Sequence, residues 1–159
     1  MNEVNKRICE RADNDAGKLN VQVLPYMNQH EWDKLLRECS VLLIRGEESL
    51  SRACLSGIPF VWHAYPQSEE YQLVKVKALL DRMKQHFKSE DFKDIERLWL
   101  NINSPEAEVD EEEMKEACRC FLERADALCY GFRDFSLSLI KNGDLAQNLM
   151  TFIYKISIM

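Results

Sequence analysis

The feature that most constrains the fold is a regular alternation of short apolar runs and helix-like segments between residues 21 and 65. The run from Val41 to Ile44 contains no polar residue, which is typical of a strand buried on both faces of a parallel sheet. A β-branched run, Val21 to Pro25, comes before it, and a third apolar run, Pro59 to Tyr65, comes after it. Because strands that alternate with helices pair in parallel through right-handed crossovers, the sequence predicts an α/β fold with a short parallel sheet.

The segments between these runs have apolar residues at helical spacing. His30 to Cys39 is predicted as one helix, and Glu47 to Leu55 as a second that is closed by Gly57 just before Pro59. Residues 1–16 carry mixed charge and are predicted as a ragged helix or a frayed end. After Pro66 only helices are expected, over residues 69–87, 92–100, 110–130, 132–140 and 145–153, with breaks at 103–105 and 142–143.

Composition excludes several classes of protein. The net charge of -6, from 27 acidic and 21 basic residues, argues against a general nucleic-acid binder, which needs a positive surface to neutralise phosphates. Apolar runs stay well below the roughly 20 residues that span a bilayer, so no membrane partner is predicted. The first residues lack the apolar stretch of a secretory signal, and a cytoplasmic location is therefore expected.

The six cysteines and the few histidines form no recognisable metal or disulfide pattern. No C-x-x-C pair is present, and a disulfide framework is unexpected in a chain without a secretory signal. The cysteines are predicted to be reduced and mostly buried small hydrophobes. H-E-x-x-H does not occur, and neither a metal ion nor a cofactor is predicted.

The most informative local feature is the strand–turn–helix junction from Ile44 to Ser49. In parallel α/β sheets ligands bind outside the carboxyl ends of the strands, and the first N–H groups of the helix, at Glu47 to Ser49, suit a phosphate. Gly46 would let the backbone come close to it, and Arg45 would add a charged, bidentate donor. A plainer interpretation stays open, since every such junction has free N–H groups and acids in a first turn are favoured by the helix dipole.

Other residues are weaker candidates. Trp62 and His63 lie on an apolar strand, where packing or an edge hydrogen bond is favoured over a ligand role. Arg52, one turn into the helix, is as consistent with a surface position as with a phosphate contact. Cys54 is predicted to be in the core, and Asp110 to Glu113 to be a solvated helix start.

Three consecutive blocks resemble a known family. Tyr26 to Leu36 reads Y-M-N-Q-H-E-W-D-K-L-L, Ile44 to Ala53 reads I-R-G-E-E-S-L-S-R-A, and Gly57 to Gln67 reads G-I-P-F-V-W-H-A-Y-P-Q. In this order they resemble the blocks P-F-x-x-Q-x-x-Y-D-x-L-L, F-V-R-G-E-D-S-F-V-R-A and G-x-P-F-V-W-H-I-Y-P-Q of the elongation factor P arginine rhamnosyltransferases, the EarP family. One departure is Glu48, where the family has aspartate, and another is residues 37–40, where it tends to have tryptophan and aspartate.

The resemblance implies an inverting glycosyltransferase of the two-domain GT-B fold. In that family the Rossmann-like C-terminal domain binds the donor dTDP-β-L-rhamnose. The N-terminal domain binds the acceptor protein and contains an aspartate expected to act as the catalytic base. The chain, residues 1–159, is expected to be the nucleotide-sugar-binding domain alone, truncated at its own N-terminus and without the acceptor domain. Its implied partners are the nucleotide sugar and elongation factor P, and the isolated chain is expected to be inactive.

Site residues follow from the resemblance position by position. Tyr26 would stack on the thymine and Gln29 would bind near the base or ribose. Arg45 and the N–H groups at the helix start would hold the diphosphate, with two acids close to the ribose or sugar hydroxyls. The implied catalytic contributors are Arg45, Glu47 and Glu48, and the implied donor-binding residues are Tyr26, Gln29, Arg45, Gly46, Glu47, Glu48 and Ser49.

Two other functions remain open at this level. A non-catalytic remnant that still binds a nucleotide is favoured by the glutamate at position 48. A helical protein-interaction module is the other, because residues 68–159 show no chemical signal.

Overall fold

The computed structural model describes residues 21–105 and 109–157. The chain divides into two compact units, residues 1–35 and 36–159. The predicted ragged helix at residues 1–16 lies outside the described residues.

The described part of the first unit is a segment without regular secondary structure, residues 21–28, that leads into helix α1, Gln29–Glu38. Asn28 caps this helix reciprocally with Glu31: the Glu31 N–H donates to Asn28 Oδ1 at 3.0 Å, and the Asn28 N–H donates to Glu31 Oε2 at 3.1 Å. The helix predicted over His30 to Cys39 is confirmed. The strand predicted over Val21 to Pro25 is wrong, because these residues form no ladder with any described residue. β-branched residues favour a strand only where another strand pairs with them.

The second unit contains a parallel pair of strands, β1 (Leu42–Ile44) and β2 (Phe60–Trp62), joined by helix α2 (Glu47–Ser56). Leu42 lies opposite Phe60 and Ile44 opposite Trp62. The predicted parallel crossover is confirmed, although two strands pair within the described residues where three were predicted. Gly57 ends α2 with a φ of 72°, a left-handed conformation that glycine adopts without strain.

Within the described residues, five helices follow the strand pair. Their bounds are α3, Tyr71–Met83, between short 3₁₀ turns at Ser68–Glu70 and Lys84–His86; α4, Ser89–Asn103; α5, Glu111–Glu123; α6, Ala125–Lys141; and α7, Leu145–Ser157.

The single helix predicted over residues 110–130 is wrong, because the helix is interrupted at Arg124. There the backbone leaves the helical region (φ −101°, ψ 2°). The Arg124 guanidinium binds two carboxylates of α4, those of Asp91 and Asp94. The turn thus joins α5 to α6 and ties both to α4. The acidic start of α5 is confirmed as a solvated cap, with the Asp110 side chain accepting from the Glu113 N–H.

Helix α4 closes the outer edge of β2. Trp99 Nε1 donates to the Phe60 carbonyl at 3.2 Å, and Asn103 Nδ2 donates to the Trp62 carbonyl at 2.7 Å. Four residues of a helix rise by about 6 Å, and two residues of a strand advance by about 6.6 Å. Because these distances nearly match, two side chains one turn apart on α4 take the place that a third strand would fill, and the sheet edge is covered.

An aromatic core lies between the strand pair and the helices. The Phe60 ring lies 5.2 Å from Trp99 and 5.3 Å from Phe132, centroid to centroid. Cys54 is buried as predicted, and burial raises the pKa of its thiol to about 11. The expectation that most cysteines are buried is wrong for the described ones, since Cys39, Cys118, Cys120 and Cys129 are only partly buried.

Helix α7 differs from the rest of the second unit. All of its residues from Leu145 to Ile156 are exposed, among them large apolar side chains such as Phe152 at 60%. Asp144 caps its start by accepting from the Gln147 N–H at 2.8 Å. Neither α7 nor any other helix within residues 21–105 and 109–157 is long and apolar enough to cross a membrane.

Candidate functional site

The junction between β1 and α2 presents backbone donors at the carboxyl end of the sheet. Gly46 occupies the N-cap position, and the first intrahelical hydrogen bond runs from the Leu50 N–H to the Gly46 carbonyl at 2.9 Å. The N–H groups of Glu47 to Ser49 therefore have no acceptor within the helix, and Gly46 brings no side chain to cap them. With the positive end of the helix dipole, they make a surface suited to an anion.

Gly46 does not owe its presence to an unusual backbone conformation. Its φ of −70° and ψ of 150° are open to any residue. A Cβ at this position would meet only the Ser49 hydroxyl, at 3.9 Å. The glycine therefore leaves open space over the turn, which a closely approaching ligand could use.

Arg45 follows β1 and lies against residues that follow β2. Its guanidinium carbon is 4.9 Å from the centre of the Tyr65 ring, a cation–π contact. Its carbonyl accepts from Trp62 Nε1 at 3.0 Å. The packing and edge hydrogen bond predicted for Trp62 are thus confirmed. Sequence reasoning missed Tyr65, although its place just beyond β2 could have shown it, because the carboxyl ends of parallel strands share one edge.

The two acids of the junction are exposed and each has a basic neighbour. Glu47 Oε1 lies 3.2 Å from Lys75 Nζ on α3. Glu48 Oε1 lies 3.4 Å from the Arg52 guanidinium one turn along α2. The junction is thus a cluster of mixed charge.

A cleft of about 750 Å³ opens beside Arg45. Its wall includes His63, the loop that follows β2, the end of α4 and the start of α5. His63 is half-buried, and its N–H donates to the Ile44 carbonyl at 2.9 Å. Burial, and then the nearby positive charge of Arg45, lower the pKa of the His63 imidazole and so favour its neutral form. The bond to the Ile44 carbonyl is a main-chain bond of the strand pair, so the packing or edge hydrogen bond predicted for the His63 side chain stays a prediction; the residue lines the cleft.

Two buried amides organise the wall of this cleft. Asn103 is 5% exposed, and its Oδ1 accepts from the Ala64 N–H at 2.8 Å. Gln72 Oε1 accepts from the Gln67 N–H at 2.9 Å, while Gln72 Nε2 donates to the Asn103 carbonyl at 3.4 Å. Both were missed by sequence reasoning, which treated Asn103 only as the start of a break. Nothing in the local sequence marks these roles, because the partners lie five to 41 residues away.

Tyr26 and Gln29 lie in the first unit. The Tyr26 side chain is fully exposed, and Gln29 is exposed at the first residue of α1. Their roles in binding a base or ribose stay predictions. Among the described residues, no group of three or more His, Cys, Asp or Glu side chains is placed to hold a metal ion.

Comparisons with known proteins agree with the blocks identified in the sequence. The family model of the elongation factor P (EF-P) rhamnosyltransferase EarP matches residues 1–154. The protein-arginine rhamnosyltransferase of Shewanella oneidensis is 29% identical over 139 residues, which are 87% of this chain and 34% of the relative. The enzyme of the same name from Neisseria meningitidis serogroup B is 30% identical over 132 residues, covering 83% of this chain and 34% of the relative. The enzyme of Pseudomonas aeruginosa is 38% identical over 86 residues, covering 54% and 23%.

A solved structure described as the structural basis for EarP-mediated arginine glycosylation of translation elongation factor EF-P shares the fold. It has a TM-score of 0.67 and 24% identity, and the match covers 93% of this chain and 48% of that chain. The chain spans about a third of the length of the curated relatives, 34% in two cases, and corresponds to their C-terminal part. Because the family model matches nearly the whole sequence, the chain belongs to the EarP family of elongation factor P rhamnosyltransferases.

Proposed function

We propose that residues 1–159 form the donor-binding domain of a protein-arginine rhamnosyltransferase that modifies elongation factor P from dTDP-β-L-rhamnose. The relatives' names support the reaction class, and the parallel β1–α2–β2 unit is compatible with the Rossmann-like half of a GT-B enzyme. The observation that carries the proposal is the placement of Arg45 at the end of β1, beside an uncapped helix start and a cleft of about 750 Å³.

In this proposal the diphosphate of the donor binds at the β1–α2 junction. Arg45 supplies a bidentate positive charge, and the N–H groups of Glu47 to Ser49 supply dipoles aimed at the phosphate oxygens. The Tyr65 ring, 4.9 Å from the Arg45 guanidinium carbon, restricts where that side chain can lie. Tyr26 and Gln29 bind the thymidine part, and Glu47 and Glu48 lie near hydroxyl groups of the donor.

Transfer of the sugar to an arginine requires both deprotonation of the acceptor and stabilisation of the leaving diphosphate. An arginine guanidinium is protonated at physiological pH and is a poor nucleophile, so an acceptor-side carboxylate must remove its proton. The diphosphate must leave with its negative charge stabilised, which Arg45 and the helix start can do without a metal ion. In the inverting mechanism we propose, the base takes a proton from the acceptor guanidinium, and the guanidine nitrogen attacks the anomeric carbon from the face opposite the diphosphate. The bond from that carbon to the diphosphate breaks, and we assign the base to no residue of this chain.

A second candidate is a binding module that holds the nucleotide but no longer takes part in transfer. Glu48 favours it, because the family blocks have aspartate at this position and a side chain longer by one methylene displaces its carboxylate. Catalytic geometry is sensitive to displacements of about 1 Å. Transfer to elongation factor P in the presence of a relative's N-terminal half distinguishes the two: activity that rises when Glu48→Asp is introduced would show that the longer acid impairs catalysis.

Calorimetric titration with dTDP tests the proposal, with Arg45→Ala and Arg52→Ala as a matched pair. We expect the native chain to bind. Arg45→Ala should lose about 1.5–3 kcal/mol, the usual contribution of a hydrogen bond to a charged group, while Arg52→Ala should stay within a few-fold of native affinity. No heat at millimolar dTDP from a folded chain would refute the proposal. Equal losses in the two variants would show that the phosphate site lies elsewhere.

A further inference from the structure

The backbone around His63 is fixed more firmly than a strand end requires. The Asn103 side chain binds the peptide groups on both sides of this residue: Nδ2 donates to the Trp62 carbonyl at 2.7 Å, and Oδ1 accepts from the Ala64 N–H at 2.8 Å. The His63 N–H itself donates to the Ile44 carbonyl at 2.9 Å. Three hydrogen bonds therefore set the position of His63 while its ring takes part in none of them.

The side chain of His63 is half-buried, whereas its neighbours Trp62 and Ala64 are buried at 4% exposure each. His63 lines the cleft beside Arg45. No described residue hydrogen-bonds to its ring nitrogens, so the imidazole is placed in the cleft but has no fixed partner there. Such a pre-positioned group can bind a ligand with little loss of conformational entropy.

The charges around this cleft set the protonation of the imidazole. Among the described residues that line it, the charged ones are Arg45 after β1, Glu70 in the turn before α3, and Glu111 at the start of α5. Burial and Arg45 together keep the pKa of His63 below its ordinary value. A diphosphate next to Arg45 would reverse this balance, because its negative charges favour the imidazolium and outweigh the single guanidinium.

We propose that His63 takes up a proton when the diphosphate of a nucleotide sugar enters the cleft beside Arg45, and then donates a hydrogen bond to a phosphate oxygen. This deepens the proposed function and rests on it, since the diphosphate must bind at this end of the sheet. Affinity then rises as the pH falls through the pKa of His63 in the complex, and levels off below its lower value in the free protein. With one proton taken up, the steepest dependence is about tenfold per pH unit.

The test is calorimetry with dTDP-β-L-rhamnose at pH 7 in two buffers that differ in ionisation enthalpy. Both phosphates of this donor are esterified, so the ligand does not titrate near neutrality, whereas a terminal phosphate has a pKa of about 6. We expect net proton uptake by the native chain. His63→Gln should bind several-fold more weakly with no uptake. His86→Gln is the matched control, because His86 binds Asp134 on α6 and does not line this cleft, and it should retain both affinity and uptake.

The possible outcomes distinguish a failure of the role proposed for His63 from a failure of the proposed donor-binding function. Binding without proton uptake, with affinity independent of pH between 6 and 8, would overturn the role of His63 and leave the donor site intact. Uptake that persists in folded His63→Gln would place the proton on another group and overturn it as well. No binding by the folded native chain would overturn the proposed function and this inference together. The buffer comparison on the native chain needs no variant, so the inference can fail even if His63→Gln does not fold.

Discussion

Replacing Asn103 with leucine removes two hydrogen bonds that the fold cannot replace. The Asn103 amide pairs the Trp62 carbonyl and the Ala64 N–H at a buried position, at 2.7 and 2.8 Å. Leucine has a similar size but neither donates nor accepts. The third partner of the Asn103 amide, the Trp99 carbonyl, lies inside α4 and keeps its helical hydrogen bond after the substitution. The substitution therefore leaves one buried acceptor and one buried donor without partners.

The magnitude follows from the count of unpaired groups. Each buried polar group left without a partner costs about 1–3 kcal/mol, so Asn103→Leu should lower the free energy of unfolding by about 2–6 kcal/mol. Whole domains have only about 5–15 kcal/mol. The loss is thus a large fraction of the total stability. Asn101→Leu is the control on the same helix, because its amide makes one longer hydrogen bond, 3.3 Å, to the exposed Glu113 carboxylate.

Urea unfolding followed by far-ultraviolet circular dichroism measures both variants. The midpoint of Asn103→Leu should fall well below that of the native chain, while Asn101→Leu should lose less than about 1 kcal/mol. If the two variants were equally stable, Asn103 would not hold the segment after β2, and His63 would not be pre-positioned.

Two further predictions concern the proposed site. Gly46→Ala should change the free energy of unfolding by no more than about 1 kcal/mol, because the added Cβ meets only the Ser49 hydroxyl, at 3.9 Å. The same substitution should weaken dTDP binding, measured by calorimetry, if a phosphate lies over the turn, and unchanged affinity would contradict that placement. Residues 1–159 alone should add no deoxyhexose to elongation factor P by intact mass, because the proposal places the junction acids beside the donor and assigns the acceptor-side base to none of these residues. Loss of such a base costs roughly 10²–10⁴-fold. A modified peak from these residues alone would refute this, and a relative's N-terminal half should restore transfer.

Local periodicity was enough to predict much of the fold. The helical spacing over residues 30–39 and 47–55 gave α1 and α2 to within about a turn, and Gly57 marked the end of α2 because of its left-handed backbone. The apolar runs around β1 and β2 predicted their parallel pairing. These features depend on neighbouring residues, which is why sequence patterns carry them.

Features that depend on distant partners could not be predicted in the same way. The break at Arg124 falls inside a continuous helical pattern and is associated with carboxylates 30 and 33 residues earlier. The run from Val21 has strand-like composition but lacks a pairing strand among the described residues. For the site, the junction from Arg45 to Ser49 was visible in the sequence, whereas Asn103 acts across 39 to 41 residues and leaves no local signal.

Helix α7 has its own folding equilibrium. It is 13 residues long, and isolated helices shorter than about 12–15 residues are marginal in water. Since all of its side chains from Leu145 to Ile156 are exposed, fraying this helix uncovers much less apolar surface than opening the aromatic core. It therefore forms a low-energy opening unit whose amides exchange with solvent independently of those around Trp99. Global unfolding energies consequently report on the core alone, and the last helix can melt and re-form many times within the lifetime of one folded molecule.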